Sequence, residues 1–216
     1  MERSKLFRKE DIGAGFRHIF YTMFHPFNGF DQVKWEDKGS VVACIVILLV
    51  FFLTNVFEQV LTGFIFNTFN PDKVSVPSIF LITMGGFAIV YIANWAAGSL
   101  QFSEGENRDV FITLCYTLVP STFFKLVQIL LTNFANAELN AFLVALMVIG
   151  YIWSGMILVV GLYYVHQFSF GGLLLNLLLT VIGVAIILFL LLLGYSLVQQ
   201  IITFVVTIYN EIVFRL

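Results

Sequence analysis

The chain has 216 residues, 60% of them hydrophobic and only 11% charged, against about 45–50% and about 25% in a soluble domain. Its net charge of −2 averages a charged head and a nearly uncharged body, so it carries no signal for nucleic acid. Five long apolar stretches leave no room for a soluble catalytic domain and describe an integral membrane protein, because about 20 apolar residues span the hydrocarbon core as a helix.

Residues 1–39 form a cytoplasmic or interfacial head without the apolar core of a signal peptide. Ile12, Phe16, Ile19, Phe20, Met23 and Phe24 recur at helical spacing, flanked by Arg8, Lys9 and Arg17. That pattern predicts an in-plane helix over 12–25 with Phe16, Ile19, Phe20 and Met23 facing the membrane. Pro26 is expected to end it, leaving Phe27, Phe30 and Trp35 as headgroup-level aromatics. The head reads either as a membrane-hugging leader or as a docking surface for a cytoplasmic partner.

Residues 40–216 read as one transmembrane helical domain, with spans at about 40–66, 76–100, 110–133, 140–164 and 171–193. The loops are short and polar, which predicts sequential antiparallel neighbours. As a single helix, 171–216 would be about 70 Å long, so it must project, bend or cross twice. Gln199, Gln200, Asn210, Glu211 and Arg215 interrupt its end. A terminal amphipathic helix over 195–216 is the expectation, a sixth span the alternative. The fold class is thus all-α and polytopic, a five-helix bundle with an interfacial helix at one end and an amphipathic helix at the other.

Lys and Arg set the orientation. Arg3, Lys5, Arg8, Lys9, Arg17, Lys34 and Lys38 precede the first span, and Arg108 joins their side. Lys73 and Arg215 fall on the other, and Lys125 lies within a span. Eight against two places the N-terminus in the cytoplasm.

Polar groups in hydrocarbon are costly and mark candidate sites. Glu58 in the first span and Lys125 in the third share nearly the same depth, with Gln128 one turn beyond Lys125. They read as a salt bridge between helices, as two side chains snorkelling to the interface, or as a substrate or ion site. Asn94 sits among Gly86, Ala93, Ala97 and Gly98, and Ala141/Ala145 and Gly150/Ser154 form a similar stripe, both suited to close helix packing. Pro120 is expected to bend the third span, with the Tyr116 hydroxyl bonding the freed carbonyl. Glu104, Glu106, Arg108, Asp109 and His166 gather at the inner loops, but their spacing matches no metal motif. Ser154–Gly155 lacks the surroundings of an intramembrane protease nucleophile. Cys44 and Cys115 read as buried small hydrophobes.

The Pro26–Phe27–Asn28–Gly29–Phe30 turn and Lys34–Trp35–Glu36 are followed by Lys38–Gly39–Ser40, Ala93–Asn94–Trp95 and Glu104–Gly105. Then come Tyr116–Thr117–Leu118–Val119–Pro120, His166, and Tyr209–Asn210–Glu211 with Arg215. In this order and spacing the chain resembles the YIP family, the Ypt/Rab-GTPase-interacting membrane proteins, in its short prokaryotic form. The resemblance implies five spans, a cytoplasmic N-terminus and residence in a prokaryotic cell membrane. Eukaryotic members act in vesicle traffic, membrane shaping and recruitment of small GTPases, while genes of prokaryotic members often neighbour transport genes. The expected function is therefore a non-enzymatic scaffold or accessory protein without cofactor. Its expected partners are the lipid bilayer and other membrane proteins, ABC-type transporter subunits among them, with no nucleic acid and homo-oligomerisation left open. A transporter component and an intramembrane enzyme are the alternatives.

Overall fold

A computed structural model describes residues 11–68 and 74–215. Arg3, Lys5, Arg8, Lys9 and Lys73 of the charge count lie outside the described residues, as do the side chains of Ile12 and Arg215. The described chain forms seven α-helices and a short 3-10 turn at Ala137–Leu139, with no strand among the described residues. The helices are α1 (Asp11–Phe24), α2 (Pro26–Glu36), α3 (Val41–Leu61), α4 (Val76–Leu100), α5 (Asn107–Thr132), α6 (Asn140–His166) and α7 (Phe170–Arg215). The last five are long and apolar enough to cross a membrane.

The head is a helical hairpin seated on the bundle. Pro26 does end α1, but it also opens α2 from its first turn, where its fixed φ suits a helix and its missing N–H costs nothing. The facing differs from the expectation. Ile19 and Met23 are buried against Ala43, Cys44, Tyr116 and Ile157, with Phe16 packed beside them, whereas Phe20 and Phe24 point outward. Phe30, expected at headgroup level, is wholly buried in the same cluster, while Phe27 and Trp35 are exposed. The 3.6 period locates the apolar face correctly; an apolar protein surface and lipid offer that face the same attraction. Close approaches hold the hairpin: a Cβ on Gly15 would come within 2.6 Å of Ser40 Cβ, and Gly29 lies hard against Thr22. Trp153 Nε1 donates to the Met23 carbonyl at 3.2 Å.

Asp37 closes α2 in the left-handed region at φ 54°. Ser40 then caps α3, its hydroxyl accepting from the Ala43 N–H at 3.3 Å, a standard way to satisfy a first-turn donor. The first span stops at Leu61 rather than near residue 66. Gly63 turns the chain there, because any Cβ would collide with the Thr132 carbonyl.

Helix neighbours depart from chain order. The α5–α6 pair is adjacent in sequence and packs closely, but α3 packs chiefly on the parallel α5, and α7 chiefly on α4. Small residues explain part of this. Gly150 sits against Phe124, Gly161 against Thr113 and Phe30, and Gly183 against Ala93. Ala93, Ala97 and Gly98 are buried, but Gly86 faces open space and Ala141 and Ala145 are exposed, so neither expected small-residue stripe is used whole. The expected break near residue 194 is absent. α7 runs as one helix of 46 residues, about 69 Å at 1.5 Å per residue; no proline interrupts it, and Gly194 and the Ser196–Gln199 pair, which could end one helix and cap another, are absorbed within it. Tyr195 through Phe214 are all exposed.

Candidate functional site

At the head side of the bundle, where α4 and α6 end and α7 begins, lies a buried chain of polar side chains. His166 Nε2 is 3.1 Å from Asn94 Oδ1, and His166 Nδ1 is 3.0 Å from Ser103 Oγ. Asn94 Nδ2 donates to Asn176 Oδ1 at 2.9 Å and to Thr180 Oγ1 at 3.0 Å. Thr180 Oγ1 donates onward to the Asn176 carbonyl at 2.8 Å. One proton arrangement satisfies every step. The Ser103 hydroxyl donates to Nδ1, neutral His166 donates from Nε2, and both Asn94 amide protons are used. His166, Asn94 and Asn176 are at most 2% exposed. Only the Asn176 amide nitrogen ends the chain without an acceptor among the described residues. The ring fits because Gly98 and Gly105 flank it: a Cβ on either would come within 2.7 Å of a ring atom. Phe168 stacks on it at 5.1 Å.

The opposite end of the bundle carries a charged counterpart. Lys125 Nζ lies 2.7 Å from Glu58 Oε2 and 3.1 Å from Asn55 Oδ1. This cluster joins α3 to α5 and borders an open cleft of about 410 Å³ that Glu58, Gln128, Thr132 and Asn140 help to line. Below it, Thr132 Oγ1 accepts the Gly63 N–H at 3.0 Å, and Asn133 Nδ2 donates to the Leu61 carbonyl at 2.9 Å.

Two further joints connect the head to the spans. The Tyr116 hydroxyl, expected at the carbonyl freed by Pro120, instead lies 3.3 Å from His18 Nδ1. The side chain projects across to α1 instead of folding back along its own helix. Burial holds the His18 imidazole below its ordinary value of 6.5, with Lys38 adding to the effect and Gln32 and Glu36 opposing it. At Pro120 itself α5 continues as helix, and Ser121 donates its backbone N–H to Ser154 Oγ at 3.1 Å. Ser154 is thereby used as an acceptor between helices. Arg108 ties the hairpin to the start of α5, reaching Asp37 Oδ1 at 2.8 Å and the Gly39 carbonyl at 2.5 Å. Lys34 reaches the Glu104 carbonyl.

The Yip1 domain profile matches residues 20–194, a span that takes in the last turn of α1, all of α2 through α6 and the packed half of α7. This chain belongs to the Yip1 family. Compared with curated proteins and with solved structures, it matches none. In this Yip1-family protein the residues that carry the family pattern are distributed unevenly about the polar chain. Asn94, Gly105 and His166 lie within it. Trp95, the neighbour of Asn94, is half-exposed on the outer face of α4. Tyr116 and Pro120 belong to the α5 joints, and Glu211 and Arg215 to the far end of α7, well away from either cluster. Around Glu104, Glu106, Asp109 and His166, as elsewhere among the described residues, no three His, Cys, Asp or Glu side chains come together as metal ligands would. Asn55, Ser103, Asn176 and Thr180 were not singled out from the sequence. Asn176 and Thr180 did carry a signal, an amide and a hydroxyl four apart in an otherwise apolar run, which places them on one helix face.

Proposed function

We propose that this Yip1-family membrane protein is a non-enzymatic scaffold or accessory subunit. It sits in a prokaryotic cell membrane with its head on the cytoplasmic side, and it holds a membrane or cytoplasmic partner of a transport or trafficking assembly. The observation that carries the reading is the fixed head. α1 and α2 are built into the core cluster and tied by Arg108, Lys34, Tyr116 and Trp153, yet they leave Phe20, Phe24, Phe27 and Trp35 exposed. A surface held this rigidly binds without a large ordering cost. The polar groups deep in the spans support the same reading, because they bond to one another across helix pairs. The cytoplasmic placement rests on the Lys/Arg asymmetry. Crosslinking in native membranes followed by pull-down tests the proposal. A scaffold returns one defined stoichiometric partner, an ABC-type transporter subunit being the expected kind, and loses it when Phe24 and Phe27 are replaced by Ser. Recovery of the chain alone would count against the reading.

A second reading, a transport component, has one specific observation in its favour: the cleft beside Glu58 and Gln128. Flux of a small cationic solute into proteoliposomes, lost in Glu58→Gln, would favour it over the scaffold.

A further inference from the structure

A second cleft lies on the head, away from both polar clusters. Ala14, Arg17, His18 and Tyr21 of α1, Gln32 of α2, and Lys38 line a space of about 500 Å³. Its floor is His18, only 7% exposed. Nδ1 of that ring is engaged by Tyr116 on α5. Nε2 has no hydrogen-bond partner among the described residues, although the Gln32 amide faces it. A hydroxyl donating to Nδ1 leaves the proton on Nε2, so a buried N–H donor stands ready at the base of the cleft. Such a donor is costly while it stays unsatisfied. Two cations stand at the walls. Lys38 also meets Glu36 at 2.6 Å, with both side chains about half exposed, so the local balance of Arg17, Lys38 and Glu36 is one positive charge. The cleft is built by residues at the mouth of the first span, where Gly15 packs on Ser40 and Ala43, with the exposed rings of Phe20, Phe24 and Phe27 on the same hairpin.

We propose that this cleft binds a phosphoryl group, with Arg17 and Lys38 pairing its charge, His18 Nε2 and the Gln32 amide donating at its base, and the Tyr21 hydroxyl beside it. A phospholipid headgroup and free phosphate share this chemistry. The anion favours protonation of His18, so binding draws a proton to a ring that burial otherwise keeps neutral. The groups facing that ring are Arg17 and Tyr21 from α1, Tyr116 from α5, Gln32 and Glu36 from α2, and Lys38. Gln32 and Glu36 favour the imidazolium, Lys38 opposes it, and a bound anion adds to the favourable side.

The test uses the full chain in neutral detergent and follows thermal unfolding during titration with dioctanoyl phosphatidic acid, dioctanoyl phosphatidylcholine or inorganic phosphate. A ligand that binds only the folded state raises the midpoint in proportion to its affinity. The expected result is stabilisation by phosphatidic acid, stronger at pH 6 than at pH 7.5. Half-saturation should move about five-fold higher in Arg17→Gln and again in Lys38→Gln, since a Lys or Arg near anionic lipid contributes about 1 kcal/mol. Arg17 is exposed and its replacement leaves the core intact, so the comparison survives if a His18 variant fails to fold. Stabilisation by the lipid alone assigns a headgroup site, and equal stabilisation by inorganic phosphate assigns a free-anion site. Phosphatidylcholine acting as well as phosphatidic acid, an unaltered response in the Arg17→Gln, Lys38→Gln double variant, or no response to any ligand would overturn the proposal.

Discussion

The two polar clusters solve one problem by different means. Around Asn94 the groups are neutral, with Asn94, His166 and Asn176 buried and Ser103 and Thr180 partly so, and nearly every donor meets an acceptor in a chain from Ser103 to Asn176. Around Lys125 the groups are charged, and Glu58 keeps about a third of its side chain exposed. A neutral network tolerates complete desolvation because no ion has to leave water, while an ion pair gains least where desolvation is complete. The difference teaches where each belongs. The neutral lock holds the α4–α6–α7 corner shut, and the ion pair sits where it still borders an open cleft.

The largest effect should come from breaking the neutral lock. Asn94→Leu removes the acceptor of His166 and the donor to both Asn176 and Thr180. A hydrogen bond between membrane helices averages about 0.6 kcal/mol, with an upper range near 1.7, so three lost together with their partners left buried should cost about 2–3 kcal/mol. Steric unfolding or thermal denaturation in detergent measures it, and Asn94→Asp should not restore the loss. Wild-type stability in Asn94→Leu would mean that the network contributes nothing.

Next comes a steric test of how tightly the far end is closed. Gly63→Ala sets a methyl group against the Thr132 carbonyl, and overpacking of this kind costs about 1–3 kcal/mol. Unfolding midpoints of Gly63→Ala and of Gly85→Ala, where nothing lies nearby, should separate clearly.

The ion pair should show coupling of about 1 kcal/mol in a double-mutant cycle of Glu58→Gln and Lys125→Met. Each single change strands a charge that the double change removes. Additive losses would show that the 2.7 Å contact carries no net energy.

The smallest effect concerns His18 and sharpens the contrast from outside the spans. Its folded value is lowered from 6.5, so the unfolded chain binds a proton first as the pH falls. The contribution of the neutral ring is therefore complete above pH 6.5 and declines as the pH drops below it. Melting midpoints between pH 7.5 and 5 should fall less steeply in His18→Gln than in the wild type.

How much was legible in the sequence depends on which force decided the outcome. Span positions followed from hydropathy alone, and the family pattern from residue order. The juxtaposition of Glu58 and Lys125 came from counting depth along two helices. Helix neighbours were not legible, because a helix apolar on every face gives no stripe to match, and loop length favours chain order without enforcing it. The sequence pattern alone sends Ile19 and Met23 to lipid, because lipid and a helix bundle are equally apolar; only the fold distinguishes them. Pro26 reads as a stop in the sequence, although proline starts a helix as readily. Asn176 by itself is silent in the sequence because a lone amide in an apolar run acquires meaning only once α7 lies on α4.

Ser154 gives the proline turn of α5 an external reference. Beside a proline, a helix ordinarily makes good its backbone bonding from its own residues or from water, and its bend is then a private matter. Here an N–H of α5 is answered by a hydroxyl of α6. Rotating α6 by one residue, about 100°, would carry that hydroxyl out of reach. The azimuth of one span is therefore written into the backbone of another, and the two helices hold a shared phase that apolar packing alone would leave free to drift.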